Sequence, residues 1–232
     1  MVSRDAVLQG LLALFEAPRY LEIGVAHGTT FHRVQARRKV AVDPSFRFDV
    51  AAAREENPSA AYHEVRSDTY FGEIAGPDEQ FDVINIDGMH TAEQALRDLL
   101  NALSCLAPGG LIVIDDVKPS SHLAAMPDPV RFMRVKKSLG STERNWMGDV
   151  YRVVYFIDSF LQQLSWRTVA ENHGQTILWR RRRPQVTERG IAAVAAKSFD
   201  DLMLEQAVLR PAPYQTILEE VRRDAPRPAG VA

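Results

Sequence analysis

The sequence predicts an α/β fold: a doubly wound, Rossmann-like and mostly parallel seven-stranded sheet that ends in an antiparallel C-terminal edge strand. Two observations support this prediction. Short apolar runs alternate with amphipathic stretches, which is typical of parallel strands that crossover helices bury on both faces. The last two apolar runs are separated only by residues 171–175, a link that is too short for a crossover helix and suits a hairpin.

Seven segments have the length and composition of strands. They are Tyr20–Ile23, Lys39–Val42, Tyr62–Val65, Phe81–Ile86, Leu111–Ile114, Trp166–Ala170 and Thr176–Trp179. Each of the first five is followed by a polar or glycine-bearing turn, as expected where a strand ends.

Amphipathic stretches between these segments predict helices. Residues 6–15 form one apolar-faced helix, and residues 199–209 have a helical pattern. A capping box at Thr91 predicts a helix between the fourth and fifth strands, which Pro108 and the two glycines after it would end. Its apolar face is predicted from Leu96, Leu99, Leu100 and Leu103.

The sequence divides into a domain and an extension. The domain is predicted over residues 1–183, with an insertion at 118–144 whose prolines and scattered basic residues are typical of a lid or a disordered loop. Residues 184–232 are predicted to form a C-terminal helical extension with a Pro-rich tail.

Composition excludes several classes of protein. The single cysteine, Cys105, excludes a disulfide framework and a cysteine-based zinc cluster. A net charge of −2 gives no general attraction to nucleic acid. No apolar run reaches the ~20 residues that cross a bilayer. The sequence thus indicates a cytoplasmic protein with a small-molecule partner, and its apolar C-terminal helix is compatible with a homo-oligomer.

A glycine-bearing turn follows the first strand. It contains Gly24 and Gly28, and a threonine at position 29 or 30 is expected to cap a helix that starts there. The turn is not the dinucleotide fingerprint, because Ala26 stands where a second glycine would let the backbone approach a pyrophosphate. Glu22, just before the turn, would repel a pyrophosphate but suits a ligand with an ammonium group and a sulfonium. The pattern therefore favours a cofactor without phosphates.

Asp43 ends the second strand about 20 residues beyond the turn, where a carboxylate can accept both hydroxyls of a ribose. The pattern Glu-x-Gly-x-x-x-Gly followed by Asp43 resembles motifs I and II of class I S-adenosylmethionine-dependent methyltransferases. Residues 81–90 and 106–116 resemble strands four and five of that fold, especially in a small-molecule branch that includes sugar O-methyltransferases of natural-product pathways. Residues 146–152 are similar to a Gly-Asp-Val segment that opens a helix in the same group.

The resemblance implies a set of residues that bind S-adenosylmethionine. The methionine and ribose parts would contact Glu22, Gly24, Gly28 and Asp43. The adenine would lie by Ser67 and Asp68, and Asp87 is the remaining predicted cofactor-binding residue. Simpler interpretations stay open. The glycines could form only a tight turn, Asp43 could be a solvated strand end, and Ser-Asp is a common loop dipeptide.

A second group of residues follows the fourth and fifth strands: Asp87, His90, Asp115 and Asp116. Neighbouring parallel strands end at one rim about 4.8 Å apart, so that their carboxylates can share one hard cation. Without a cation, clustered carboxylates repel one another and one must stay protonated, a conflict that Mg²⁺ or another divalent cation resolves. Metal-dependent sugar O-methyltransferases are similar in this respect, which implies that Asp87, Asp115 and Asp116 bind a metal ion.

One position departs from that branch. The macrocin and novobiocin type has an acidic residue, proposed as the base, where this sequence has Met89. We therefore predict His90 as the catalytic base, with Asp87 as its catalytic partner. Two alternatives stay open: His90 could only cap the turn at Thr91, and Asp115 could only cap the loop that follows it.

These residues together predict an S-adenosylmethionine-dependent O-methyltransferase that acts on a hydroxyl of a small molecule, a natural-product sugar or similar, with help from a divalent cation. The ion would lower the pKa of the bound oxygen, and the imidazole would take its proton. The alternatives are a metal-independent N-methyltransferase and a non-catalytic S-adenosylmethionine-binding protein. Ala26 and Glu22 disfavour an NAD-dependent oxidoreductase.

Overall fold

The computed structural model describes residues 2–225 and contains one eight-stranded sheet in the order β3-β2-β1-β4-β5-β7-β6-β8. The strands are β1 Arg19–Ile23, β2 Arg38–Val42, β3 Ala60–His63, β4 Phe81–Ile86, β5 Leu106–Ile114, β6 Leu164–Val169, β7 Thr176–Arg180 and β8 Pro211–Ala212. Strands β1 to β5 are parallel, and β7 is antiparallel to both of its neighbours, β5 and β6. The predicted doubly wound α/β fold with a mostly parallel sheet is confirmed.

The C-terminal side of the sheet differs from the prediction in one strand. The hairpin β6–β7 forms, with β7 placed inside it beside β5. The two-residue strand β8 then pairs with β6 in parallel and forms the outer edge, so the sheet has eight strands and not seven. A two-residue strand that starts at Pro211 is too short to show a periodicity in the sequence, and proline is tolerated at such an edge.

Nine α-helical segments cover the two faces of the sheet within the described residues. They are α1 Arg4–Leu12, α2 Val50–Glu56, α3 Ser67–Thr69, α4 Ala92–Ser104, α5 Pro129–Leu139, α6 Tyr151–Phe160, α7 Ile191–Ala195, α8 Phe199–Leu204 and α9 Tyr214–Asp224. A π-helical turn, Tyr70–Ile74, extends α3, and a 3₁₀ turn, Gln206–Leu209, follows α8. None of the helices between residues 2 and 225 has the length and apolar content needed to cross a membrane.

The core lies on both faces of the sheet, giving three layers. Successive residues of β4 point to opposite sides: Val83 packs in the cluster that contains α1 and α9, and Ile84 packs in the cluster that contains α4 and α6. Helix α9 belongs to the predicted C-terminal extension, and the hydroxyl of its Tyr214 donates to the carbonyl of Val7 in α1 at 2.7 Å. Because α1 and α9 share this core, the N-terminal helix is held firmly against the sheet.

The helix predicted after the glycine turn is absent: residues 24–37 form turns. Lys39 explains why the chain is held in this shape. Its buried ammonium donates to the carbonyls of Phe31 and Val34 at 2.6 and 3.0 Å and lies 4.4 Å from the centre of the Phe31 ring. A buried ammonium must find acceptors, and here it takes carbonyls of the link, which closes the link as turns.

Three other boundaries differ from the predictions. Pro108 and the glycines lie inside β5, because β5 begins at Leu106 and bulges where its pairing with β4 shifts between Phe81 and Val83. The buried face of α4 is rotated, so that Leu100 is exposed while Gln94 and Asp98 are buried. The 118–144 insertion contains α5, which Asp128 caps at its start and Gly140 ends with φ +59°.

Candidate active site

A cleft of about 660 Å³ opens at the carboxyl ends of β1, β2 and β4. This is the point where the strand order reverses, since β1 lies between β2 and β4, and such crevices are the usual ligand sites of open α/β sheets. Six of the ten predicted site residues line the cleft. Those it contains are Glu22, Gly24, Asp43, Ser67, Asp87 and His90, joined by Arg4, Arg66, Gln94 and Asp98.

The glycine turn brings the end of β1 close to the end of β4. The N–H of Gly24 donates to the carbonyl of Val42 at 2.9 Å, and Gly24 has φ +85°. A Cβ at this position would overlap the carbonyl oxygen of Asp87. Gly28 also has a positive φ, and a Cβ there would overlap the ring of His32. Both glycines are therefore required by the backbone path, and Gly24 in particular allows the two strand ends to meet.

Asp43 fastens that turn. One oxygen of its carboxylate accepts the backbone N–H groups of Val25 and Ala26 at 2.9 and 2.8 Å, and the other accepts the N–H of Ser45 at 2.8 Å. The carboxylate thus places a negative charge where a dinucleotide-binding turn would present free N–H groups to phosphate. The turn as built is unsuited to a pyrophosphate.

Glu22 lies buried beneath the turn. Its carboxyl accepts a hydrogen bond from the hydroxyl of Tyr20. Burial raises the pKa of Glu22 to about 8, with the charge of Asp87 adding to the shift and Lys39 opposing it. At neutral pH this carboxyl is therefore mostly protonated until a cation comes near it.

Ser67 and Asp68 lie at the start of α3, where Gln94 of α4 reaches them. The Gln94 Nε2 atom lies 3.2 Å from Ser67 Oγ, 3.1 Å from Asp68 Oδ1 and 3.1 Å from Asp98 Oδ1. Burial raises the pKa of Asp98. Sequence reasoning missed Gln94 and Asp98. Their signal was present, since two polar residues four apart in the buried stripe of an amphipathic helix indicate a polar site beneath it.

The acidic rim brings together Asp87, His90, Asp115 and Asp116, as predicted, and adds Arg4 from α1. The guanidinium of Arg4 places Nη2 2.7 Å from Asp116 Oδ1, Nε 2.8 Å from Asp115 Oδ2 and Nη1 3.6 Å from Asp87 Oδ2. The Nε contact is ionic, because that N–H finds no hydrogen-bond acceptor in good geometry. Asp115 and Asp116 are almost fully buried. One cation of the chain thus touches all three carboxylates.

His90 stands between two of these carboxylates. Its Nε2 lies 3.3 Å from Asp87 Oδ1, and its Nδ1 lies 3.2 Å from Asp116 Oδ2 and 2.9 Å from the carbonyl of Trp146. Its ring stacks on that of Trp146, with centroids 5.1 Å apart. Burial by itself would lower the pKa of His90, but the hydrogen bond to Asp87 and the charge of Asp116 raise it to about 9. The imidazole is held in a fixed orientation and is cationic at neutral pH.

The backbone of the rim is also strained into place. His90 and Asp116 have φ angles of +52° and +60°, which side-chain-bearing residues rarely adopt. Gly148 packs against the carbonyl of His90, leaving no room for a Cβ there. Such strain persists only where the surroundings hold it, and it brings both side chains to the rim.

The metal site predicted from Asp87, Asp115 and Asp116 does not match the arrangement of donors. The group whose ligand atoms lie within 4.8 Å of one another is Asp87, His90 and Asp116. Asp115 is not part of that group. Its Oδ1 accepts the N–H of Asp116 at 2.8 Å, and its Oδ2 contacts Arg4. Burial raises the pKa of Asp115 well above its ordinary value and that of Asp116 to about 6. The residues present therefore do not form a free divalent-cation site, because Arg4 already contacts the carboxylates.

A second hollow of about 710 Å³ adjoins the cleft. The two spaces share Arg4, His90 and the two threonines of the glycine turn. Trp146, Asn172 and His173 line the far side of the second hollow. Two ligands bound side by side would meet at His90 and Arg4.

Residues 21–117 match the model of a family described as a methyltransferase domain. The match covers less than half of the 232 residues, so it describes this part of the chain as similar to that family. The matched range contains every site residue that the sequence predicted, whereas Arg4 and Trp146 lie outside it. No curated protein matches the chain.

Solved structures described as methyltransferases share the fold of this chain. The chain superposes on a candidate caffeoyl-CoA O-methyltransferase from Staphylococcus aureus with a TM-score of 0.52 and 15% identity, over 78% of this chain and 85% of that one. It also superposes on a candidate O-methyltransferase from Klebsiella pneumoniae with a TM-score of 0.51 and 19% identity, over 78% and 81% of the two chains. These likenesses establish a shared architecture.

Proposed function

We propose that this methyltransferase transfers the methyl group of S-adenosylmethionine to a hydroxyl oxygen of a small molecule, such as a sugar of a natural product. The observation that carries the proposal is the junction of two hollows at one oriented imidazole, His90. The two structural neighbours described as O-methyltransferases support an oxygen acceptor.

The choice of cofactor rests on the glycine turn. The N–H groups of Val25 and Ala26 are already bound to the Asp43 carboxylate, so the turn repels phosphate and suits a cofactor that has none. A sulfonium and an ammonium beside Glu22 would favour its ionised form and lower its raised pKa, which adds a favourable interaction for a cationic cofactor. We place the ribose near Asp43 and the adenine near Ser67 and Asp68.

Methyl transfer is an in-line displacement. The acceptor oxygen forms a bond to the methyl carbon, the carbon–sulfur bond breaks, and its electron pair stays on sulfur as the cofactor leaves as a neutral thioether. The hydroxyl proton must leave the oxygen, and His90 is the group positioned to take it in its neutral form. A sulfonium near His90 would lower the pKa of the imidazolium by repulsion and so raise the neutral fraction that can act as the base. We assign no step to a metal ion, because Arg4 contacts the carboxylates that would hold one.

Transfer from radiolabelled S-adenosylmethionine to a panel of paired acceptors tests the proposal. Each pair contains a sugar or phenol with a free hydroxyl and the same molecule with an amine at that position. We expect label in the hydroxyl members only. Label confined to the amines would support the N-methyltransferase alternative, and cofactor binding without any transfer would support the non-catalytic one.

A further inference from the structure

Arg4 lies outside the matched methyltransferase range, in the N-terminal helix α1. It is the first residue of that helix, directly after the capping residue Ser3. The helix is fixed by Val7, Leu8, Leu11 and Leu12, all of which are fully buried. Arg4 therefore approaches the rim from a rigid element, not from a loose terminus.

The guanidinium of Arg4 matches the rim in charge and in shape. Its Nη2 and Nε contact Asp116 and Asp115 at 2.7 and 2.8 Å, and Nη1 lies 3.6 Å from Asp87. A guanidinium keeps its charge at every accessible pH and offers a planar fork of donors that suits carboxylates. Three carboxylates crowded at one rim repel one another, and the positive charge of Arg4 opposes that repulsion from within the chain.

The same contacts work against a divalent ion. Mg²⁺ or Mn²⁺ would need carboxylate oxygens at about 2.0–2.2 Å, and Arg4 already contacts one oxygen each of Asp115 and Asp116. An ion on Asp87, His90 and Asp116 would also sit close to the guanidinium and be repelled by it.

We propose that Arg4 takes the place of a divalent cation at this rim, so that the enzyme positions its acceptor and its base without a metal. Arg4 is a positioning residue: its contacts hold the carboxylates of Asp87 and Asp116 on either side of His90 and so orient the imidazole. The role in methyl transfer rests on the proposed function, whereas the exclusion of metal does not.

The test measures Mn²⁺ binding through the loss of the free-ion electron paramagnetic resonance signal. The proteins are the wild type, Arg4→Ala, Arg4→Lys and Arg167→Ala as a matched control. Arg167 also pairs with a carboxylate, that of Glu220, and its side chain is 35% exposed against 34% for Arg4. We expect the wild type and Arg167→Ala to bind no Mn²⁺ below about 1 mM, the range of weak sites. Arg4→Ala should bind it at least tenfold more tightly, and Arg4→Lys, which keeps a charge, should behave like the wild type.

Two further measurements complete the test. Methyl transfer by the wild type should be unchanged in excess chelator, and Mn²⁺ should raise the melting temperature of Arg4→Ala and not that of the wild type. Mn²⁺ binding by the wild type that is as tight as that of Arg4→Ala, or activity that disappears with chelator, would overturn the proposal. If Arg4→Ala does not fold, the wild type and Asp116→Asn decide the question. Mn²⁺ binding by the wild type that is lost in Asp116→Asn would overturn the proposal, and no Mn²⁺ binding by the wild type would support it. If no acceptor in the panel is methylated, that result counts against the proposed function. The Mn²⁺ measurements then decide this inference by themselves.

Discussion

The carboxylate of Asp43 accepts the backbone N–H of Val25 at 2.9 Å, which ties the end of β2 to the turn that follows β1. The same oxygen accepts the N–H of Ala26 at 2.8 Å. One side chain thus shapes the wall of the cleft and also gives it a negative charge.

Asp43→Ala should weaken S-adenosylmethionine binding by at least about tenfold, equivalent to about 1.4 kcal/mol, because the turn loses its two shared hydrogen bonds. Asp43→Asn keeps one acceptor oxygen, and its affinity for S-adenosylmethionine should lie between those of the wild type and Asp43→Ala. Titration calorimetry measures the affinity. Asp49→Ala is the matched control, since Asp49 also accepts two backbone N–H groups but caps the exposed helix α2. Equal affinities for Asp43→Ala and Asp49→Ala would show that the turn does not depend on this carboxylate.

Gly24→Ala should destabilise the protein by more than about 1–3 kcal/mol, the cost of a strained backbone conformation alone. The residue has φ +85°, and the new methyl group would also collide with the carbonyl of Asp87. Urea unfolding measures the difference. Gly76→Ala serves as the control, because nothing lies within 4 Å of a Cβ at that position. A Gly24→Ala variant as stable as Gly76→Ala would contradict the close approach of β1 and β4.

Glu22→Gln should change how the stability of the ligand-free protein depends on pH. Burial raises the pKa of Glu22 from 4.5 to about 8, so the folded state binds a proton that the unfolded state releases. The wild type therefore loses stability as pH rises from 4.5 through about 8, and the glutamine variant lacks this loss. Melting temperatures should be similar at pH 5, and at pH 9 the variant should melt at least about 3 °C higher, corresponding to about 1 kcal/mol. Parallel curves across this range would mean that Glu22 titrates normally.

His90→Ala should lower the turnover number by about 10²- to 10⁴-fold, the usual contribution of a general base. Affinity for S-adenosylmethionine should change little, because the turn and Asp43 do not depend on His90. His122→Ala is the control, because His122 is exposed, pairs with Asp200 and lines neither hollow. Single-turnover kinetics separate the chemical step from binding. Unchanged turnover in His90→Ala would remove it from the reaction.

The parts of the fold that the sequence predicts well are those with local causes. The strands β1, β2 and β4 are short, mainly apolar segments. The predicted N-terminal cap at Thr91 forms, with its hydroxyl accepting the N–H of Gln94 at 3.4 Å, although Gln94 does not return a bond to Thr91. The features that escaped prediction depend on distant contacts. The link after β1 is closed by the buried ammonium of Lys39, and no local pattern distinguishes that from a helix. Strand β8 exists only because the long-range pairing with β6 supplies its partner.

The candidate site divides in the same way. The carboxylates at the ends of β4 and β5 could be placed on one rim because parallel strands end together. Arg4 could not be placed at this rim from the sequence, because its contact with Asp116 joins residues 112 positions apart and depends on how α1 packs. The sequence predicted that the carboxylates at the rim would repel one another. It did not predict whether a metal ion or a cationic side chain would offset that repulsion.

The most direct measurement is a crystal structure of the protein grown with S-adenosylhomocysteine. We expect the nucleoside in the cleft between the glycine turn and Ser67, its ribose beside Asp43 and its sulfur facing His90. Density for the ligand at another surface, or a cleft that stays empty at saturating ligand, would contradict the proposed cofactor site and the methyl transfer built on it.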